Sequence, residues 1–137
     1  MIRFLDTSAA CAPYDGALRA GASLESAVRR PEFLHHYADE SDPVVLAAAL
    51  LWAVNRTHPL IDGNKRASVM LADAFLTEND RHLDGSEDQL VELVLGAASG
   101  GLDEALLPTV MSSLCHPGVP GELFAVRHPG VIARLAL

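Results

Sequence analysis

Eleven apolar residues in an unbroken run, Val44 to Val54, stand directly behind Asp42-Pro43 and constrain this chain more than any other stretch. Aspartate is a strong N-cap and proline suits the first helical position, so a helix starts here and ends near Thr57. A helix that is apolar on every side must be covered on every side, which places this one at the centre of the fold. The remaining chain is suited to cover it. Alanine and leucine number 21 each, against 18 for valine, isoleucine and threonine together, so intrinsic preference leans to helix. Half of the 137 residues are apolar and a fifth charged, the balance of one compact domain with a real core. The expectation is an all-α fold: a helical bundle around a buried central helix pair.

The second member of that pair runs from Asn64 to Glu78, with Asn79 as a left-handed C-cap. Ser86 and Gln89 make a capping box, and Leu90, Leu93, Val94, Ala97 and Ala98 follow the stripe of an amphipathic helix that stops at Gly100-Gly101. Residues 1–22 lack a sustained period and read as irregular, with room for one short helix. Leu24 to Arg30 reads as a brief helix stopped by Pro31, and a last helix from Leu102 is ended or kinked by Pro108. His-Pro-Gly-Val occurs at 116–119 and again at 128–131, too short a unit for a solenoid repeat. The boundaries that follow are a single helical domain over 1–114 and a loosely ordered, Pro/Gly-containing extension over 115–137.

A formal charge of −8 argues against wrapping a nucleic-acid backbone, which calls for an excess of Lys and Arg. The amino terminus lacks the apolar core of a signal peptide, and no stretch reaches a membrane span of about 18 apolar residues, so a cytoplasmic location is expected. Cys11 and Cys115 show no ligand spacing and read as reduced, structural thiols. No phosphate-binding loop, dinucleotide fingerprint or zinc-protease motif occurs.

The chemistry concentrates in His58-Pro59-Leu60-Ile61-Asp62-Gly63-Asn64-Lys65-Arg66, a short loop held between two buried helices. If Asn64 opens the second helix, unpaired backbone N–H groups and the positive end of its dipole face outward at Gly63, Asn64 and Lys65. Lys65 and Arg66 add two cations, and Gly63 permits close approach, which together make a phosphate-sized anion site. His58 is a candidate general base, and Asp62 a candidate ligand for hydrated Mg2+ beside the phosphates. Taken singly, each residue has a plainer reading: His58 finishing a helix, Asp62-Gly63 making a turn. Cations in a first turn, however, oppose the dipole unless an anion is present, which favours function. Lys65 is the only lysine among ten Lys and Arg residues. The remaining histidines, His35, His36, His82, His116 and His128, read as surface groups, and Trp52 as core.

This nine-residue segment resembles the signature of the Fic/Doc family, histidine-proline-phenylalanine-x-aspartate-glycine-asparagine, then glycine or lysine, then arginine. Leu60 replaces the usual phenylalanine. Lys65 with Arg66 matches the Doc branch, whereas the AMP-transferring branch carries glycine at position 65 and a further arginine where this chain has Val69. The likeness runs over about 18–107, with an amino-terminal region shorter and more irregular than in the family and no counterpart for the final 23 residues.

The resemblance implies a toxin of a toxin–antitoxin pair, a protein kinase that uses ATP and Mg2+ to phosphorylate a translation factor, elongation factor Tu, and so inhibits translation. It also implies neutralisation by the C-terminal segment of a small antitoxin. Carried over by position, His58 is the base for the acceptor hydroxyl, Asp62 the metal ligand, and Gly63, Asn64, Lys65 and Arg66 the phosphate cradle, with Arg56 a weaker candidate for the rim. None of the eight glutamates fits the inhibitory pattern by which some Fic proteins silence themselves, so inhibition is expected from another chain. Two other readings stand beside this one: transfer of AMP to a protein hydroxyl, and a silent Fic-fold binding module.

Overall fold

The computed structural model describes residues 1–136. Helix α1 (Thr7–Cys11) and a 3-10 turn (Ala12–Ala17) lead into α2 (Glu25–Val28) and α3 (Arg30–Tyr37). The central pair α4 (Pro43–Thr57) and α5 (Asn64–Glu78) follows, then β1 (Arg81–Leu83), α6 (Glu87–Ser99), α7 (Leu107–Ser113), β2 (Cys115–Pro117), α8 (Phe124–Arg127) and α9 (Pro129–Leu135). The fold is all-α apart from one two-stranded sheet. No helix among the described residues is long and apolar enough to cross a membrane.

Helix α4 is the axis of the molecule. Asp42 accepts from the Val44 N–H at 2.9 Å, and Pro43 occupies the first turn, where its missing N–H costs nothing. From Leu46 to Leu51 every side chain is buried, because α2, α3, α5, α6 and α7 all pack against this helix. Trp52 is the partial exception. It is half-buried, with the Arg30 guanidinium 6.0 Å from its ring centroid.

Helix α5 has the expected bounds, but its end differs in detail. Asn79 sits at φ −110°, and Asp80 takes the left-handed conformation at φ 61°. Asn79 is employed otherwise: its side chain accepts from Arg3 N and donates to the Arg3 and Phe75 carbonyls, tying the amino-terminal segment to the helix. The Ser86–Gln89 capping box opens α6, and Gly100 ends it in the left-handed region at φ 85°.

Two prolines expected to stop helices start them instead. Pro31 lies in the first turn of α3 and Pro108 in the first turn of α7, because a first-turn residue needs no N–H partner. The segment 102–106 is turn rather than helix.

Residues 115–136 are ordered, contrary to the expectation of a loose extension over 115–137. β2 pairs antiparallel with β1, matching Leu83 to Cys115 and Arg81 to Pro117, and Phe124, Val131 and Leu135 are at most 2 % exposed. Burying three such side chains stabilises the docked tail by several kcal/mol, at about 1.5–3 kcal/mol each. The two His-Pro-Gly-Val copies differ completely in structure: the first ends β2, whereas the second enters α9. His128 is accordingly no surface group. Its side chain is only 13 % exposed, with its ring 4.9 Å from that of Phe124 and Nε2 3.4 Å from Asp84 Oδ1, too poorly aligned for a hydrogen bond.

Candidate active site

The loop between α4 and α5 is fixed from inside. Asn64, only 4 % exposed, accepts from the Leu60 N–H and donates to the Leu60 carbonyl, both at 2.9 Å, while Leu60 itself is buried. Of the proposed cradle residues, Asn64 therefore spends its side chain on the loop and offers the site only its backbone N–H. An antiparallel bridge between Leu18 and Leu60 holds the outer side, through Arg19 N–H to Pro59 O at 2.9 Å and Ile61 N–H to Ala17 O at 2.7 Å.

His58 caps α4 in the left-handed conformation, φ 51° and ψ 54°, with its N–H donating to Val54 O. For a residue with a Cβ this conformation costs roughly 1–2 kcal/mol, so the neighbouring bonds must hold it. The result is an exposed imidazole at the mouth of the loop.

Gly63 is the N-cap of α5 at φ 87°, where a Cβ would lie 2.9 Å from Arg66 Nη2. Of the three helices of thirteen or more residues, α4 and α6 are capped by Asp42 and Ser86, but α5 has no side-chain cap. Its first turn also holds Lys65 and Arg66 and no acidic residue. The amino-terminal amides, the positive dipole end and two cations thus meet at the start of α5, where among the described residues no side chain caps the helix as Asp42 and Ser86 cap α4 and α6. The Arg66 Nε is buried and makes no hydrogen bond among the described residues, a donor waiting for an acceptor.

Asp62 flanks this turn. Its carboxylate accepts from Gly63 N–H at 2.8 Å and lies 3.5 Å from Arg66 Nη2, with the side chain 80 % exposed. Together His58, Ile61, Asp62, Gly63, Asn64 and Lys65 line a cleft of about 170 Å³. That volume accommodates a phosphate-sized group, while a whole nucleotide must extend outside it, since sites for whole small molecules run to roughly 300–1,000 Å³.

Among the described residues, the remaining wall is Leu135, from α9. Neither it nor the bridge at 17–19 is identifiable from sequence, because each meets the loop across about forty residues of chain or more. Arg56 is exposed on the last turn of α4 and does not line the cleft. A larger cleft, about 710 Å³, lies among Arg3, His35, Ser41, Asp80 and Arg81. It contains no part of the loop, and the helix start it touches, at Pro43, is already capped by the Asp42 carboxylate.

Burial raises the thiol pKa of both Cys11 and Cys115, which keeps them protonated and poorly nucleophilic at neutral pH. Neither thiol lines the cleft. No curated protein matches the chain. The sequence model of the Fic/DOC family matches residues 4–76, more than half of the chain and the whole stretch from the amino-terminal segment through most of α5. The match takes in His58, the open amides and both cations, and with them this chain belongs to the Fic/DOC family, whose members transfer nucleotide-derived groups to proteins.

Proposed function

We propose that this protein is a Doc-like toxin, a kinase that transfers the terminal phosphate of ATP to a hydroxyl of a translation factor, with elongation factor Tu as the expected target. The observation that carries the choice of phosphate over AMP is the pair Lys65 and Val69. Lys65 brings a compact cation to the open turn of α5, and Val69 is fully buried in the core, so no second arginine reaches the phosphates from that position.

The residues fit a triphosphate. The α5 amides, Lys65 and Arg66 hold the phosphate chain, and the buried Arg66 Nε gains an acceptor. Asp62 is the candidate ligand for Mg2+, which when bound supplies neutralisation of the charge that develops on the leaving phosphate. His58 accepts the proton of the attacking hydroxyl as the oxygen bonds to the terminal phosphorus and the bond to the bridging oxygen breaks, releasing ADP.

ATP labelled separately at the α and γ phosphates tests this directly. Wild-type protein is expected to place only the γ label on its target. Lys65→Gly is expected to lower γ transfer at least tenfold and to admit α transfer, because the open turn then accepts a phosphate more deeply. Exclusive α transfer by the wild type would overturn the kinase reading in favour of AMP transfer, and no transfer of either label would leave a binding module.

A kinase of this kind needs an inhibitor, and the described residues that line the cleft include no glutamate. The proposed partner is a small antitoxin whose disordered C-terminal segment folds over the approach to His58. Calorimetry of the pair should then show a large negative heat-capacity change, the mark of folding coupled to binding. Tight binding that left γ transfer at full rate would refute this mode of control.

A further inference from the structure

Three successive carbonyls around His58 accept from one residue that lies outside the loop. Arg19 Nε donates to His58 O at 2.6 Å, Nη2 to Thr57 O at 3.1 Å, and the Arg19 backbone N–H to Pro59 O at 2.9 Å. The Thr57 and His58 carbonyls belong to the two peptide planes that flank the His58 α-carbon. Fixing both planes fixes φ and ψ of His58, and with them the direction in which its imidazole leaves the backbone.

The chemistry suits arginine alone. These carbonyls sit at the negative end of α4, where helical partners are lacking and a cation is favoured. The planar fork spans two adjacent carbonyls at once, whereas a lysine ammonium is a single point charge. The fork also starts from a fixed base, because the backbone at 17–19 is paired with 59–61. Arg19 is itself exposed and contributes nothing to the core, so removing it leaves the packing intact.

We infer that Arg19 is a positioning residue: its guanidinium holds His58 in the left-handed conformation that presents the imidazole to the α5 cleft. The kinetic part of the test rests on the transfer reaction proposed above; a spectroscopic part does not. In Arg19→Ala, kcat for γ transfer should fall about 10²-fold, the penalty of a reacting group displaced by about 1 Å, while KM for ATP changes less than threefold. Arg19→Lys should recover less than a tenth of the lost rate. Methylguanidinium at millimolar concentration should restore at least tenfold to Arg19→Ala and nothing to wild type.

Independently of activity, the His58 imidazole proton resonance, assigned by its loss in His58→Ala, should shift or broaden in Arg19→Ala while those of the other five histidines stay in place. An unmoved His58 resonance would overturn the inference, whether or not stability fell, and would make Arg19 a plain helix cap. A wild-type chain that transfers nothing removes the proposed reaction, and the resonance then decides Arg19 alone.

Discussion

His58→Ala should lower the rate of transfer by about 10²–10⁴-fold, the usual worth of a general base and equivalent to roughly 3–5 kcal/mol of barrier. The loss should fall on kcat rather than on ATP affinity, since the phosphate-holding groups belong to α5 and His58 to α4. Stability should change little. The imidazole is exposed, the His58 N–H keeps its bond to Val54 O, and alanine carries the same Cβ into the left-handed region. An exposed substitution of this kind typically moves stability by less than about 0.5 kcal/mol. A folded variant that modifies its target at the wild-type rate would remove His58 from the reaction.

The largest effect on stability is expected at Asp73, on the far side of α5 from solvent. Its carboxylate is 4 % exposed and accepts from Leu83 N–H at 2.9 Å and from Arg127 Nη2 at 3.0 Å. Arg127 in turn donates to the Glu122 and Leu83 carbonyls, so one ion pair joins α5, β1 and the chain that enters α8. Asp73→Ala leaves a nearly buried guanidinium without its counter-charge and a buried amide without an acceptor. Breaking such a pair costs about 3–5 kcal/mol, which for a chain this size lowers the melting temperature on the order of 10 °C. The double variant Asp73→Leu with Arg127→Met should regain much of that loss, because an apolar pair of similar volume avoids the desolvation cost. Urea unfolding gives both numbers, and a loss under about 1 kcal/mol for Asp73→Ala would show that the pair holds nothing together.

The parts of the fold that are legible in the sequence are those decided within a few residues. Asp42-Pro43 and the apolar run fix α4, the Ser86–Gln89 box fixes the start of α6, and Gly100 fixes its end. Pro31 and Pro108 mislead because a proline forbids only the helix that precedes it and favours the one that follows. Which of these a given proline does depends on tertiary partners. The tail is illegible for a different reason: its helices of four and seven residues are too short for a periodic stripe, and they form because Phe124, Val131 and Leu135 find a core to enter. His128 follows the tail inward.

The candidate site divides along the same line. His58 to Arg66 are contiguous, so the chain order alone groups them, whereas Arg19 and Leu135 reach the loop only through folding. Asn64 shows the limit of motif reading from the other direction, since its side chain turns back onto Leu60.

Leu135 gives the order of synthesis a role. A chain made amino terminus first at about 5–20 residues per second has its His58 to Arg66 loop in place roughly 3–14 s before the last turn of α9 exists. During that interval the cleft lacks a wall, and the core lacks Val131 and Leu135. The finished cleft thus waits for α9, and a chain truncated before α9 would present the loop without its completed surroundings.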